Sequence, residues 1–349
     1  MIRSGIALLC LLLLPSSYAA NSLVVLNWPD YLPKQVIDDF QKEYNVDVSM
    51  VYYESDEIKD YLLSANDGQN YDVVISSLFR TQNYRNRAWL QKIDQSKIPN
   101  LQHIEERWLA HYHTTDQTCV PYLWGTLGIL YNTQSVNTDI TSWQQFYSPH
   151  LQTKQKIKLL SDSRDVLATA LIALGYSVNI QDIKQVRQAG RLLYNRMNNV
   201  ASFGALELNK NSELIQNKIS MAMAYNGDGL YLSELDPRLK YVVPNEGTPL
   251  WLDCLTIMQK SNNKLSAYQF VNYLHEPKVA ASISEALFYA TPNKSAKQFL
   301  SADILNNKQV YLSESVLEKS EFYQQLPAQM QREYQTIFSQ LSFILDKEQ

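Results

Sequence analysis

The chain has 349 residues, 45% of them hydrophobic, and a formal net charge of -4. Its lysines and arginines are scattered and form no basic track for nucleic acid, while the mild acidity favours small cationic partners. That length exceeds what one hydrophobic core usually organises, so two lobes are expected.

Met1 to Arg3 form a short positive start, IALLCLLLLP an apolar stretch, and SSYAA supplies small residues for cleavage after Ala19. Residues 1–19 therefore read as a secretory signal peptide, and Cys10 leaves with it. No later run approaches the roughly 18 apolar residues of a membrane helix. SLVVLNW (22–28) reads as a strand, and PKQVIDDFQKEY (33–44) as an amphipathic helix with Val36, Ile37, Phe40 and Tyr44 toward one side. VDVSMVYY (46–53) is the next strand. SDEIKDYLLSA (55–65) is a helix capped by Ser55, and Glu54 and Asp56 read as its solvated acidic start. YDVVISS (71–77) is a third, buried-type strand.

The same grammar returns later. KIKLLSD (156–162) is a strand, RDVLATALIALGY (164–176) a helix ending near Gly175, and DIKQVRQAGRLLYNRM (182–197) another helix. ISMAMAYNG (219–227) and LKYVVPNEG (239–247) are strands running into turns. TPLWLDCLTI contributes a strand, SAYQFVNYLHEP (266–277) a helix closed by Pro277, and the tail from Val316 to Leu345 is mostly helical. Strands alternating with helices imply an α/β fold with sheets covered by helices. Cys119 and Cys254 remain after export, which permits a disulfide, but the sequence leaves their separation in space open.

Polar and aromatic residues accumulate where these strands end. Trp28, Asp30 and Tyr31 follow the first, Ser76 and Ser77 end the third, Asp162 and Asp165 follow KIKLL, and Tyr225 and Asn226 follow ISMAMA. TPLWLDCLTI then places Trp251 and Asp253 at the mouth of another strand. Open α/β sheets bind ligands beyond the carboxyl ends of their strands. An aromatic face attracts an ammonium and covers methylenes, and a carboxylate adds direction and charge-assisted hydrogen bonds. An alkyl diamine or polyamine needs both.

Catalytic readings fare worse. The sequence has no GxSxG, HExxH, CxxC or phosphate-cradling glycine loop. His111 and His113 lack a nearby acidic ligand cluster, and nothing sets Asp162 and Asp165 apart as an acid and a base. The reading is a binding protein with no catalytic residues, cofactor or metal.

Nine ordered stretches carry a family resemblance: NWPDYLP at 27–33, YYESDE at 52–57, YDVVISS at 71–77, IDQSKIPN at 93–100, VPYLWGTLGILYN at 120–132, SDSRDVL at 161–167, AYNGDG at 224–229, PNEGTPLWLDCLTI at 244–257 and YATPN at 289–293. Over essentially its whole mature length the chain resembles the periplasmic spermidine/putrescine-binding proteins of bacterial ABC importers. The resemblance implies a two-lobed clamshell of mixed sheets flanked by helices, with the ligand cleft between lobes. Residues 20–127 with 253–297 would form lobe one, and 128–252 with 298–349 lobe two.

Carried over by position, Trp28 and Tyr31 would line lobe one's face of the cleft, with Asp30 near an amine end and Ser76 contributing a hydroxyl. Asp162 and Asp165 would receive a terminal ammonium, Asp165 standing where the family often has glutamate. Tyr225 stands where tryptophan is usual, Trp251 and Asp253 match an aromatic wall and a central carboxylate, and Tyr289 matches a further cleft aromatic. Leu78 and Phe79 replace a common pair of tyrosines. A late family glutamine corresponds to Gln324 or falls beside it at Tyr323. The implied ligand is an aliphatic polyamine of the spermidine, norspermidine or putrescine class, bound by a periplasmic monomer that delivers it to an inner-membrane ABC permease. The alternative partner is the periplasmic domain of a membrane GGDEF/EAL signalling protein, through which polyamine occupancy would regulate biofilm formation.

Overall fold

The computed structural model describes residues 21–348 apart from residues 115, 149 and 152, so the expected signal peptide lies outside the described residues. Ten strands run through these residues: β1 (Asn21–Asn27), β2 (Val46–Tyr52), β3 (Val73–Ser77), β4 (Val120–Asn132), β5 (Ile157–Leu159), β6 (Val200–Phe203), β7 (Met221–Tyr225), β8 (Leu239–Val242), β9 (Pro249–Ile257) and β10 (Glu321–Phe322). β1 pairs in parallel with β2 and β3, whereas β9 runs antiparallel to both β3 and β4.

The two lobes share a strand. β4 is 13 residues long and buried throughout, which its unbroken VPYLWGTLGILYN permits, because a strand covered on both faces needs no polar alternation. Its first half, Val120 to Thr126, pairs with β9. From Leu127 onward it pairs instead with β7, and from Ile129 also with β8. β5 and β6 extend this second sheet in parallel beyond β7. The first sheet reaches back to Leu250 on β9, so the boundary expected at 252/253 cuts through a paired strand.

Helices cover each sheet. Lys34–Tyr44 and Lys264–Leu274 lie on the first, their Phe40 and Phe270 rings 5.0 Å apart. Ser163–Ala173, Ile183–Tyr194 and the long Ala328–Glu348 pack together on the second. Pro277, expected to close a helix, opens another, Pro277–Leu287, because a first-turn proline has no amide to lose. The mostly helical tail is interrupted by β10, which pairs with the start of β9.

Cys119 and Cys254 form a disulfide. Pro121 lies opposite Cys254 in the β4–β9 ladder, which brings the neighbouring Cys119 within reach. The bridge ties the residue before β4 to its neighbouring strand β9 across 135 residues of chain.

Candidate functional site

The first strand ends in Asn27, after which Asp30 adopts a left-handed backbone with φ 51°, a conformation that aspartate tolerates better than most residues. This turn leaves Asp30 exposed and drops Tyr31 into the interior. The Tyr31 ring centroid lies 5.6 Å from that of Tyr289 and 6.2 Å from that of Trp251. Trp251 and Tyr289 meet edge to face at 4.9 Å. Gly125 makes this possible, because a Cβ there would collide with the Trp251 ring and the Asn226 side chain.

Asp253 lies beneath this aromatic group, 5% exposed. Tyr31 Oη approaches its carboxylate without making a hydrogen bond of normal geometry. Burial, reinforced by Asp56, pushes the Asp253 carboxyl up to about 6, while Lys59 and the Tyr31 and Ser77 hydroxyls favour its charged form. Ser77 stands opposite Asp253 in the β3–β9 register, and Ser76 stands opposite Cys254. Since neighbouring strand residues point to opposite faces, Ser77 rather than the expected Ser76 shares the Asp253 face. Ser76 is wholly buried, and its hydroxyl has no partner.

A second acidic group comes from the other lobe. Asp162 caps the helix Ser163–Ala173, accepting from the amides of Arg164 at 2.7 Å and Asp165 at 3.1 Å. Both Asp165 oxygens are occupied: Tyr225 Oη donates to one at 2.6 Å, and Tyr323 Oη to the other at 2.5 Å. Burial raises the Asp165 carboxyl, against the pull of those two hydroxyls. Burial, followed by the charges of Asp165, Asp56 and Glu57, pushes Asp162 up to about 8, with Arg80 opposing. Asp56, Glu57 and Arg80 belong to lobe one, so the two lobes' charged groups face each other.

Tyr225 also bridges the two groups, its ring meeting Trp251 at 6.3 Å. Tyr323 turns inward and stacks edge-on with Phe79 at 5.6 Å, whereas the Gln324 side chain stays exposed. Beyond them a groove separates Phe79, Arg80 and Asn83 from Ser163, Arg164 and Gln324. Gln325 Nε2 crosses it to donate to Asn83 Oδ1 at 2.9 Å.

Trp28 is turned away from this aromatic group. Its ring packs on Tyr53 at 4.3 Å and faces the Lys59 ammonium at 5.4 Å. Lys59 is fully buried and bonds to Asp56, which also accepts from Arg80 Nε at 2.9 Å. Although burial works against its charge, these two cations hold the Asp56 carboxyl below its ordinary range. Asp56 is thus 3% exposed, not the solvated helix start expected from the sequence.

Asp228 was not anticipated either. Tyr289 Oη donates to it at 3.2 Å, and burial together with Asp30 pushes its carboxyl up to about 6. Its signal was the acid inside AYNGDG, in the first turn of the helix Asn226–Leu235. Among the described residues no cluster of three or more His, Cys, Asp or Glu side chains has the geometry to hold a metal ion.

The site therefore places carboxylates on both sides of an aromatic-lined boundary between two lobes. Residues 35–310 match the family described as bacterial extracellular solute-binding protein, and the chain belongs to that family. It is 31% identical over 304 residues to the spermidine/putrescine-binding periplasmic protein of Salmonella typhimurium, with 86% of each chain covered. It is 26% identical to the norspermidine sensor of Vibrio cholerae, covering 91% of this chain and 88% of the other. Its fold is similar to that of a putative spermidine/putrescine ABC transporter from Listeria monocytogenes, with a TM-score of 0.82, 27% identity and coverage of 92% and 99%. The fold is the two-lobed α/β clamshell of periplasmic binding proteins.

Proposed function

We propose that this chain is a periplasmic polyamine-binding protein, which closes on an extended aliphatic polyamine and delivers it to an inner-membrane ABC permease. The observation that carries this reading is the placement of Asp253 beside Tyr31 and Tyr289 on the first lobe, with Asp162 and Asp165 of the second lobe close enough to feel the charge of Asp56 on the first. An alkylammonium gains a charge-assisted hydrogen bond from a carboxylate and a quadrupole attraction from a ring, and its methylenes are covered by the same rings. Trp251, Tyr225 and Tyr289 would provide that cover. Tyr31 completes the wall, and Asp30 with Asp228 supplies charge at one end. The similarity to the Salmonella protein supports the same ligand class and the periplasmic location.

Closure follows from differential affinity. A cation that touches carboxylates of both lobes binds the closed state better than the open one, and only that difference shifts the equilibrium. Calorimetric titration with putrescine, spermidine and norspermidine tests the reading. Saturable binding of at least one supports it, and no heat with any of the three defeats it.

A second reading is that the closed form reports occupancy to a membrane GGDEF/EAL protein; the 26% identity to a norspermidine sensor supports sensing as a role and names no partner. A pulldown of the ligand-loaded protein from solubilised membranes separates the two. Recovery of a permease supports delivery, and recovery of a GGDEF/EAL protein supports sensing.

A further inference from the structure

The helix Asp56–Ala65 is built against the usual hydrophobic order. Ile58 and Tyr61 are 44% and 73% exposed, while Lys59 is 0% exposed and shares its inward face with Asp56 and Leu63. Lysine is almost never fully buried unless its charge is paired. Here the Lys59 ammonium lies 4.8 Å from the Tyr53 ring, 5.4 Å from Trp28 and 5.9 Å from Tyr84, and it bonds to Asp56. Three aromatic faces and a carboxylate around an alkylammonium make the same chemistry that an amine ligand requires. The cage adjoins the site: Tyr53 Oη donates to the Ile75 carbonyl at 2.6 Å, and Ile75 lies on β3 two residues before Ser77, which stands opposite Asp253.

Resting on the polyamine reading above, we propose that Lys59 is an internal ammonium that fills a cation subsite of lobe one and sets the length of amine the protein accepts. The cage of Trp28, Tyr53 and Tyr84 with Asp56 is occupied by the chain itself. The ligand therefore has one ammonium position fewer than the carboxylates would otherwise serve, and a diamine is preferred to a triamine. Lys59 also offsets part of the negative charge that Asp56 and Asp253 would present to an incoming cation. Removing it opens the cage and frees Asp56 to receive an additional ammonium.

The test is calorimetric titration of putrescine and spermidine into the wild type, Lys59→Met and Lys59→Arg, with thermal melting to verify folding. Asp56 keeps its bond to Arg80 in every variant. The wild type and Lys59→Arg should favour putrescine, and Lys59→Met should raise the spermidine-to-putrescine affinity ratio by about tenfold or more. Lys59→Gln, which keeps a hydrogen bond to Asp56, should shift the ratio in the same direction and serves if the methionine variant fails to fold. An unchanged ratio in a folded variant, or a wild type that prefers spermidine, overturns the proposal. If the wild type binds no amine but Lys59→Met does, the internal ammonium stands and the polyamine function of the natural protein falls. If no folded variant binds either amine, both fall.

Discussion

Tyr323 places its hydroxyl 2.5 Å from Asp165 Oδ1 across 158 residues of chain, while Tyr225 holds the other oxygen at 2.6 Å. The carboxylate is thus oriented from two directions before any ligand arrives. Such preorganisation lowers the ordering cost of binding. Tyr323→Phe removes one of two hydrogen bonds to a charged group, each worth about 1.5–3 kcal/mol. Polyamine affinity should fall by about tenfold or more, and calorimetry on the folded variant is the check. An unchanged dissociation constant would mean that Asp165 is a structural carboxylate only.

Asp253 is the buried carboxylate proposed to receive an amine on the first lobe. Asp253→Asn keeps the shape but removes the charge, so it should weaken polyamine binding by about 2–5 kcal/mol if the ion pair is desolvated. A titration indistinguishable from wild type would remove Asp253 from the site.

Trp251 lies against β4 only because position 125 has no side chain. Gly125→Ala should displace the ring from Tyr289 and weaken binding, and Trp251→Ala should do so more strongly by removing both ring face and alkyl cover. Tryptophan fluorescence during titration gives the readout. Equal affinities in all three proteins would return Trp251 to the ordinary core.

The site should also be pH-dependent. Asp253 and Asp228 are raised to about 6 and Asp162 to about 8, all by burial first. For a carboxyl raised above its unfolded value, the stabilising contribution is fully present below about pH 4 and is lost as pH rises through the folded value. In the free protein that loss should run up to about 6 for Asp253 and Asp228, and to about 8 for Asp162. A bound cation favours the ionised form, so binding should release protons and affinity should rise between about pH 5 and pH 8. Heats that do not vary among buffers of different ionisation enthalpy at pH 6 would contradict this coupling.

The Cys119–Cys254 bridge closes a loop spanning 135 residues. Its removal by a Cys119→Ser, Cys254→Ser double substitution should cost about 2–5 kcal/mol. Thermal melts should show the loss, and a reductant should lower the melting temperature of the wild type but not of the double variant.

Part of the proposed site could be read from strand ends, where Tyr31, Asp162 and Tyr225 lie, whereas Trp251 and Asp253 lie inside β9 and Tyr289 follows the helix Pro277–Leu287 and was expected only from the resemblance. Trp251, Asp253, Tyr31 and Tyr289 do converge, and so do Asp162, Asp165 and Tyr225. Ser77, not the expected Ser76, shares the Asp253 face, because a strand's two faces differ by a single step and only the register with β9 decides which hydroxyl stands opposite Asp253. Lys59 and Asp56 were hidden for a different reason. A charged helix start reads as solvated from local pattern, and only the neighbours Trp28, Tyr53, Tyr84 and Arg80 bring it inside.

The sequence by itself determined the alternation of strands and helices, the absence of the catalytic motifs sought, and the kinds of side chain at the strand ends. These depend on local periodicity and residue chemistry, which a linear string records. Only the tertiary structure decided that β4 is shared by two sheets, that Tyr323 rather than Gln324 turns toward Asp165, that the cysteines are bonded, and that a lysine fills an aromatic cage. Each is a contact between separate segments of chain, fixed by register and burial, and no local spacing encodes it.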